Sequence, residues 1–177
     1  LVASGREKAG KSTQPTAHVI DSQSVKATEN TPLSGYDARK RIKSRKRHIM
    51  TDTCGHLIAL QIHEAGIQDR NCVPTVIVRL QRGSPKQRHV FANGGYAGPK
   101  LPNALIEIGR WAIQIVKRSD STKGFKVLPR RWVVERSFAW LGRCRRLAKD
   151  WERTIESAEA WVLIAHIRQM TRMLARP

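Results

Sequence analysis

Short apolar runs of strand length alternate along this chain with segments of helical period, and that alternation confines it to an α/β architecture. Residues 17–21 (Ala-His-Val-Ile-Asp) form a brief, partly β-branched run that ends in an acid. Residues 48–53 and 57–63 are two further β-rich runs, and Cys54-Gly55-His56 between them reads as a hairpin turn. Helical spacing follows over 69–81, with Pro74 in the early turns where proline is tolerated best. A strand at 88–92 runs into Asn93-Gly94-Gly95. A helix begins at Pro99, carries Leu101, Leu105 and Ile108, and stops at Gly109. Residues 111–116 are again strand-like, 117–128 form a polar basic loop, and a helix starts at Arg131. Ala160, Leu163, Ile167, Met170 and Leu174 then recur at spacings of three and four, as expected for one long amphipathic helix. We expect that stripe to pack on its own domain, with a homodimer seam as the second reading. The order predicts a mixed sheet flanked by helices, with an extra C-terminal helix.

The 177 residues suit one domain, and no apolar run approaches the ~20 residues that cross a bilayer, so no membrane role is expected. Cys54, Cys72 and Cys144 are odd in number and far apart, which excludes a disulfide framework and points to a reduced, cytoplasmic setting. Residues 1–16 lack apolar periodicity and are rich in Gly, Ser, Thr and Lys; we expect a flexible basic tail or linker. Because the chain opens on Leu1, we expect it to be the downstream part of a longer product. Lys and Arg number 33 against 14 Asp and Glu, a net +19, and such an excess repels itself unless a polyanion sits beside it. Nucleic acid is therefore the first partner to consider.

In residues 39–48 (RKRIKSRKRH) seven of ten side chains are Lys or Arg and none is acidic, so we expect a phosphate-contacting surface there. A second basic segment, 130–153, sets Arg143, Arg145, Arg146 and Lys149 beside Trp140 and Trp151, a mixture suited to backbone neutralisation with stacking or to filling a core. On a helical wheel Val134, Phe138 and Leu141 make a buried stripe, and Glu135 lies at its edge on the side of Arg131. That leaves Glu135 either as an intrahelical ion pair, worth ~0.3–0.5 kcal/mol, or as a metal ligand. Asp21, at the end of an apolar strand, either caps a turn or binds a cation. Gly5 to Ser12 matches the phosphate-loop pattern letter by letter, but no strand precedes it and Pro15 with a strand follows, so the pattern is rejected. Cys54, His56 and His63 lack the paired spacing of structural zinc. His63-Glu64 has no later P-C-x-x-C, no G-x-S-x-G turn occurs, and His166 is given no role.

Taken together, several segments resemble the DDE transposases of bacterial insertion sequences, in particular the family named after insertion sequence five. They are 20–26 (IDSQSVK), 35–49 (GYDARKRIKSRKRHI), 51–55 (TDTCG), 67–70 (IQDR), 91–98 (FANGGYAG), 128–136 (LPRRWVVER) and 138–143 (FAWLGR), continuing into the C-terminal helix. The resemblance covers nearly everything after residue 16. It implies that residues 17–177 are a ribonuclease-H-like catalytic domain whose three acids hold two Mg²⁺ ions, with Mn²⁺ as a substitute. It implies double-stranded DNA, as transposon ends and target, for the partner, and the nucleoid of a bacterial cytoplasm for the location. Asp21 takes the first acid position and Glu135 the third, whereas Asn93 stands where the family has Asp. Arg131 keeps the family's Arg four residues before Glu135, Leu128 stands for its Tyr, and Gly142 stands for its Lys, with Arg143 one place on. The expected DNA contacts are Arg39, Lys40, Arg41, Lys43, Arg45, Lys46, Arg47, Arg131, Arg143, Arg145 and Arg146. With Asn93 the carboxylates supply −2 instead of −3, so we expect DNA binding with impaired strand cleavage and transfer. The alternatives are a non-catalytic DNA-binding remnant or, third, an RNA-binding protein.

Overall fold

The expected hairpin anchors the sheet. In the computed structural model, which describes residues 1–29, 31–81, 89–109, 111–116 and 130–176, β3 (Ile42–Asp52) turns back into β4 (Leu57–Glu64) and pairs with it antiparallel. The turn passes through Gly55 at φ +91°, a left-handed conformation that disfavours any side chain. On its other side β3 pairs antiparallel with β1 (His18–Lys26), in a register from His18 opposite Asp52 to Lys26 opposite Ser44. β5 (His89–Ala92) runs parallel to β1 and β6 (Ala112–Ile115) runs parallel to β5, while the short β2 (Gly35–Asp37) pairs with the first residues of β3. The mixed sheet expected from the sequence is therefore present. Arg88 and residues 117–128, expected as a strand start and a loop, lie outside the described residues.

Successive strand side chains point to opposite faces, so Ile20 and Met50 enter one apolar cluster and Val19 and Ile49 another. The first cluster packs under α2 (Asp69–Gln81) and α3 (Lys100–Gly109) through Val73, Val76, Ile77, Leu101 and Leu105. The second packs under α4 (Arg131–Gly142) and α5 (Ile155–Leu174) through Val134, Phe138, Leu141, Ala158 and Val162. Asp21 follows Val19 on the α4 face, and Ser22 follows Ile20 on the α2 face. That parity decides which helix each polar side chain meets.

Three expectations need correction. Within the expected tail of residues 1–16, α1 (Val2–Lys8) is a helix docked on α5. Arg6 is buried there, with Nη1 2.8 Å from Asp52 Oδ2, and a Cβ on Gly5 would lie 2.5 Å from Met170 Cε. The glycine thus serves close packing where composition suggested flexibility. The basic block of residues 39–48 is only partly a surface, because most of it is β3, whose alternation and central position bury Arg45 and Arg47. Finally, the buried face of α5 is Ala158, Val162, His166 and Met170, while Leu163, Ile164 and Ile167 are exposed. A strict four-residue spacing that includes a histidine won over the apolar stripe. His166 is satisfied in the core because its Nε2 accepts the Leu57 N–H, 3.2 Å away.

Candidate active site

The three expected positions arrive from β1, the end of β5 and α4. Asp21 is only 8% exposed, and its Oδ1 accepts the Ser22 N–H at 2.8 Å and the Asn93 amide Nδ2 at 2.6 Å. Arg131, in the first turn of α4, brings Nη2 to 3.9 Å from Asp21 Oδ2 and 3.0 Å from Glu135 Oε1. Both carboxylates therefore lie within 4 Å of one guanidinium nitrogen: the Arg131–Glu135 pair stands beside Asp21, and the ion-pair reading of Glu135 is met. Its side chain is 53% exposed, which leaves it free to turn toward a ligand.

Burial pushes the Asp21 carboxyl up to about 6. The Ser22 N–H and Arg131 oppose that shift, whereas Glu135 and Asp69 add repulsion. Asn93 caps the short 3-10 turn Gly94–Tyr96, its Oδ1 accepting the Gly95 N–H at 2.7 Å. Because a backbone N–H only donates, this contact fixes the amide with its oxygen in the turn and its NH₂ toward Asp21. The Asn-Gly-Gly turn and the place in the acid cluster are thus the same feature. Two carboxylates offset by one arginine form a hard, oxygen-rich, under-compensated donor set. It fits a divalent cation such as Mg²⁺, held by Asp21 and Glu135, with the Asn93 oxygen reaching it only if the turn gives up its cap.

Asp69, the first residue of α2, is not singled out by the sequence, where it reads as an ordinary acidic helix start. Its Oδ2 accepts the Ser22 hydroxyl at 3.0 Å, and its Oδ1 lies 2.9 Å from Lys46 Nζ. A Cβ on Gly95 would meet both Asn93 Oδ1 at 3.0 Å and Asp69 Oδ2 at 3.2 Å, so the turn threads between these oxygens. Its only sequence signal is its presence in the 67–70 segment. Leu128, at the family's Tyr position, lies outside the described residues.

The expected DNA-contacting cations divide into two groups. Arg39, Lys40, Arg41 and Lys43 are exposed on the tongue that β1, β2 and β3 form beyond the acids. Lys43 is six residues from Ile49, the partner of Asp21, or about 20 Å along the strand. Arg143 and Arg145 are also exposed. Arg45, by contrast, has no exposure: it donates to the carbonyls of Pro32, Leu33, Glu152, Arg153 and Thr154 and pairs with Asp150 at 3.5 Å. Arg47 donates to Leu147 O, Lys46 holds Asp69, and Arg146 is engaged by Glu152 and the Trp161 ring. The Trp rings of the second basic segment are engaged within the protein, with Arg136 over both Trp132 and Trp140 and Lys149 over Trp151.

A hairpin-led mixed sheet flanked by helices is the ribonuclease-H-like architecture of integrase and transposase catalytic cores. The fold matches the catalytic core of BIV integrase with a TM-score of 0.51 over 85% of this chain and 82% of that one, at 14% identity. It matches the catalytic domain of Mos1 mariner transposase with a TM-score of 0.51 over 96% and 82%, at 12% identity. The sequence matches the family of the Transposase DDE domain over residues 12–170, and the chain belongs to that family. A Burkholderia cepacia protein assigned as the transposase for insertion sequence element IS402 is 34% identical over 115 residues, which are 61% of this chain and 54% of that protein. This chain thus spans about half the length of the curated relative. Among the described residues no helix is long and apolar enough to cross a membrane.

Proposed function

We propose that this chain is the catalytic domain of a bacterial insertion-sequence transposase of the insertion sequence five family, cutting and joining DNA strands with its activity impaired by Asn93. The observation that carries the reading is the convergence of Asp21 and Glu135 on Arg131, with Asn93 against Asp21. Asp21 and Glu135 are the residues that hold Mg²⁺ or Mn²⁺, and two carboxylates suit one such ion better than the two expected by resemblance. The ion, when bound, supplies activation of the attacking oxygen and charge stabilisation at the leaving one. Arg131 sits where it can take a phosphate oxygen, and Ser22 N–H and Asn93 NH₂ fix the Asp21 rotamer. Double-stranded DNA lies along Arg39, Lys40, Arg41 and Lys43 and against Arg143 and Arg145. The exposed Leu163, Ile164 and Ile167 strip supports pairing of two copies, read out by sedimentation.

Strand transfer with Mg²⁺ or Mn²⁺, comparing the natural chain with Asn93→Asp, tests the reading. A faster Asn93→Asp variant supports it, and equal rates refute the impairment. The second reading, a non-catalytic DNA-binding remnant, is favoured by the Asn93 amide, which donates to Asp21 Oδ1 where the family has an acid. Under it the natural chain binds DNA with no dependence on Mg²⁺, and the ion leaves its melting point unchanged.

A further inference from the structure

A second set of ligating side chains lies on the other face of the sheet. His48 on β3, His63 on β4 and Cys72 on α2 are all buried, and one ligand atom from each lies within 4.8 Å of the others. The strand register brings the imidazoles together: His48 pairs with Gln61, two residues before His63, so both rings share a face and stack with centroids 4.7 Å apart. Cys72 stands three residues after Asp69 on α2, one helical turn further.

Each imidazole has committed one nitrogen. His63 Nδ1 donates to the Glu64 carbonyl at 2.6 Å, and His48 Nδ1 meets the Tyr96 hydroxyl at 3.0 Å. A carbonyl only accepts, so His63 carries its proton on Nδ1 and presents a bare lone pair at Nε2. Both Nε2 atoms are buried with no hydrogen-bond partner among the described residues, although His48 is fully buried and such orphans are rare in native cores. Metal-bound histidines have this arrangement, one nitrogen on a backbone or hydroxyl oxygen and the other on the ion.

We propose that His48 Nε2, His63 Nε2 and Cys72 Sγ hold a zinc ion, with Asp69 Oδ1, 3.9 Å from His48 Nε2, in the fourth position. Corners of a triangle 4.8 Å on a side lie about 2.8 Å from its centre, so closure to Zn–N and Zn–S bonds of about 2.0–2.3 Å needs side-chain shifts under ~1 Å. Nitrogen and sulfur donors select zinc over Mg²⁺. On binding, the Cys72 thiol loses its proton to solvent, and thiolate and Asp69 together balance the dication. Lys46, partly exposed, swings away from Asp69 into water. Through Tyr96 and Asp69 the ion braces the turn capped by Asn93 and the Ser22 next to Asp21. Asp52, Cys54 and His56 also cluster, but Asp52 is already taken by Arg6 and by the N–H groups of Cys54 and His56.

The test is titration of the chelator-stripped chain with Co²⁺ as a spectroscopic probe, followed by displacement with Zn²⁺. One ion per chain and a thiolate-to-cobalt charge-transfer band are expected. The band should vanish in Cys72→Ser, persist in Cys54→Ser, and zinc affinity should fall more than about 100-fold in both Cys72→Ser and His63→Gln, beyond what loss of an outer partner causes. Absence of stoichiometric binding or of the band in the natural chain overturns the proposal whatever the variants do. So does a band that survives Cys72→Ser or is lost in Cys54→Ser.

Discussion

Replacing Asp21 with Asn is expected to stabilise the protein at pH 8 and to remove its response to magnesium. Burial holds the Asp21 carboxyl at about 6 in the folded chain, while the unfolded chain releases that proton near the ordinary 3.8. Between those values the folded state binds the extra proton, so stability falls as pH rises from about 4 to about 6 and stays lowered above. Two pH units correspond to about 3 kcal/mol. The introduced amide keeps an oxygen for the Ser22 N–H at 2.8 Å and the Asn93 NH₂ at 2.6 Å, but forfeits the attraction of Arg131 at 3.9 Å. The Arg131 attraction is already contained in that figure, so subtracting only the charge-assisted part of the Asn93 bond leaves a gain of roughly 1–2 kcal/mol. Urea unfolding at pH 8 and pH 4 measures it: the variant should be more stable at pH 8 and equal at pH 4, and millimolar Mg²⁺ should raise only the natural chain. A variant equal or weaker at pH 8, or a difference independent of pH, refutes the idea that the pocket stores an under-compensated charge.

Other substitutions separate structure from binding. Arg45→Met should cost about 3–5 kcal/mol in urea unfolding, because it strands buried Asp150 and a ring of carbonyls, and should leave the salt dependence of DNA binding unchanged. Arg39→Ala with Lys43→Ala should do the reverse, lowering the slope of log affinity against log salt by about 2 at constant stability, as read by fluorescence anisotropy. Burial, with His56 beside it, holds the His166 ring down to about 4, so the unfolded chain takes up its proton first and stability drops as pH falls from about 6.5 to 4. His166→Gln, which can still accept the Leu57 N–H, should flatten that decline by up to ~3 kcal/mol. Thr154→Ala removes the oxygen that accepts Ser157 N–H at the start of α5 and should cost about 1 kcal/mol by thermal unfolding.

Local periodicity carried the hairpin, the apolar strand segments and the helices α2, α3 and α4, because each is written in neighbouring residues; β2 and the basic first half of β3, which lack an apolar run, were not expected as strands. What local pattern cannot carry is the partner across the sheet. Arg45 and Lys43 are alike in the sequence and share one face of β3, yet the 150–154 segment covers Arg45 and pairs it with Asp150, more than a hundred residues away, while Lys43 lies exposed further toward the start of the strand. The α5 stripe failed for a related reason: His166 is polar by composition and core by virtue of one backbone N–H on β4. Asp21 and Glu135 were legible as candidate ligands but not separable from ordinary explanations, an acid after an apolar strand and an Arg–Glu pair on a helix, and only the resemblance grouped them with Asn93 as a candidate site. The contribution of Asp69 and the meeting of His48, His63 and Cys72 exist only once three elements are docked.

The geometry of Asn93 links the loss of one property to the retention of another. A carboxylate at that position would set two negative groups at hydrogen-bond distance inside a pocket that already raises the Asp21 carboxyl, and only a cation could compensate them. The amide turns that repulsion into a bond and keeps the cap on the Gly95 N–H, so the metal-free fold gains what metal binding loses. The exposed cations of the tongue lie about 20 Å along the strand from this exchange and do not take part in it. Under the proposed reading, therefore, the substitution strikes strand cleavage while leaving the domain folded and its DNA-facing surface intact. Asn93→Asp should accordingly show a lower melting point than the natural chain in chelator and a larger rise with Mg²⁺; identical behaviour of the two in both conditions would break the link.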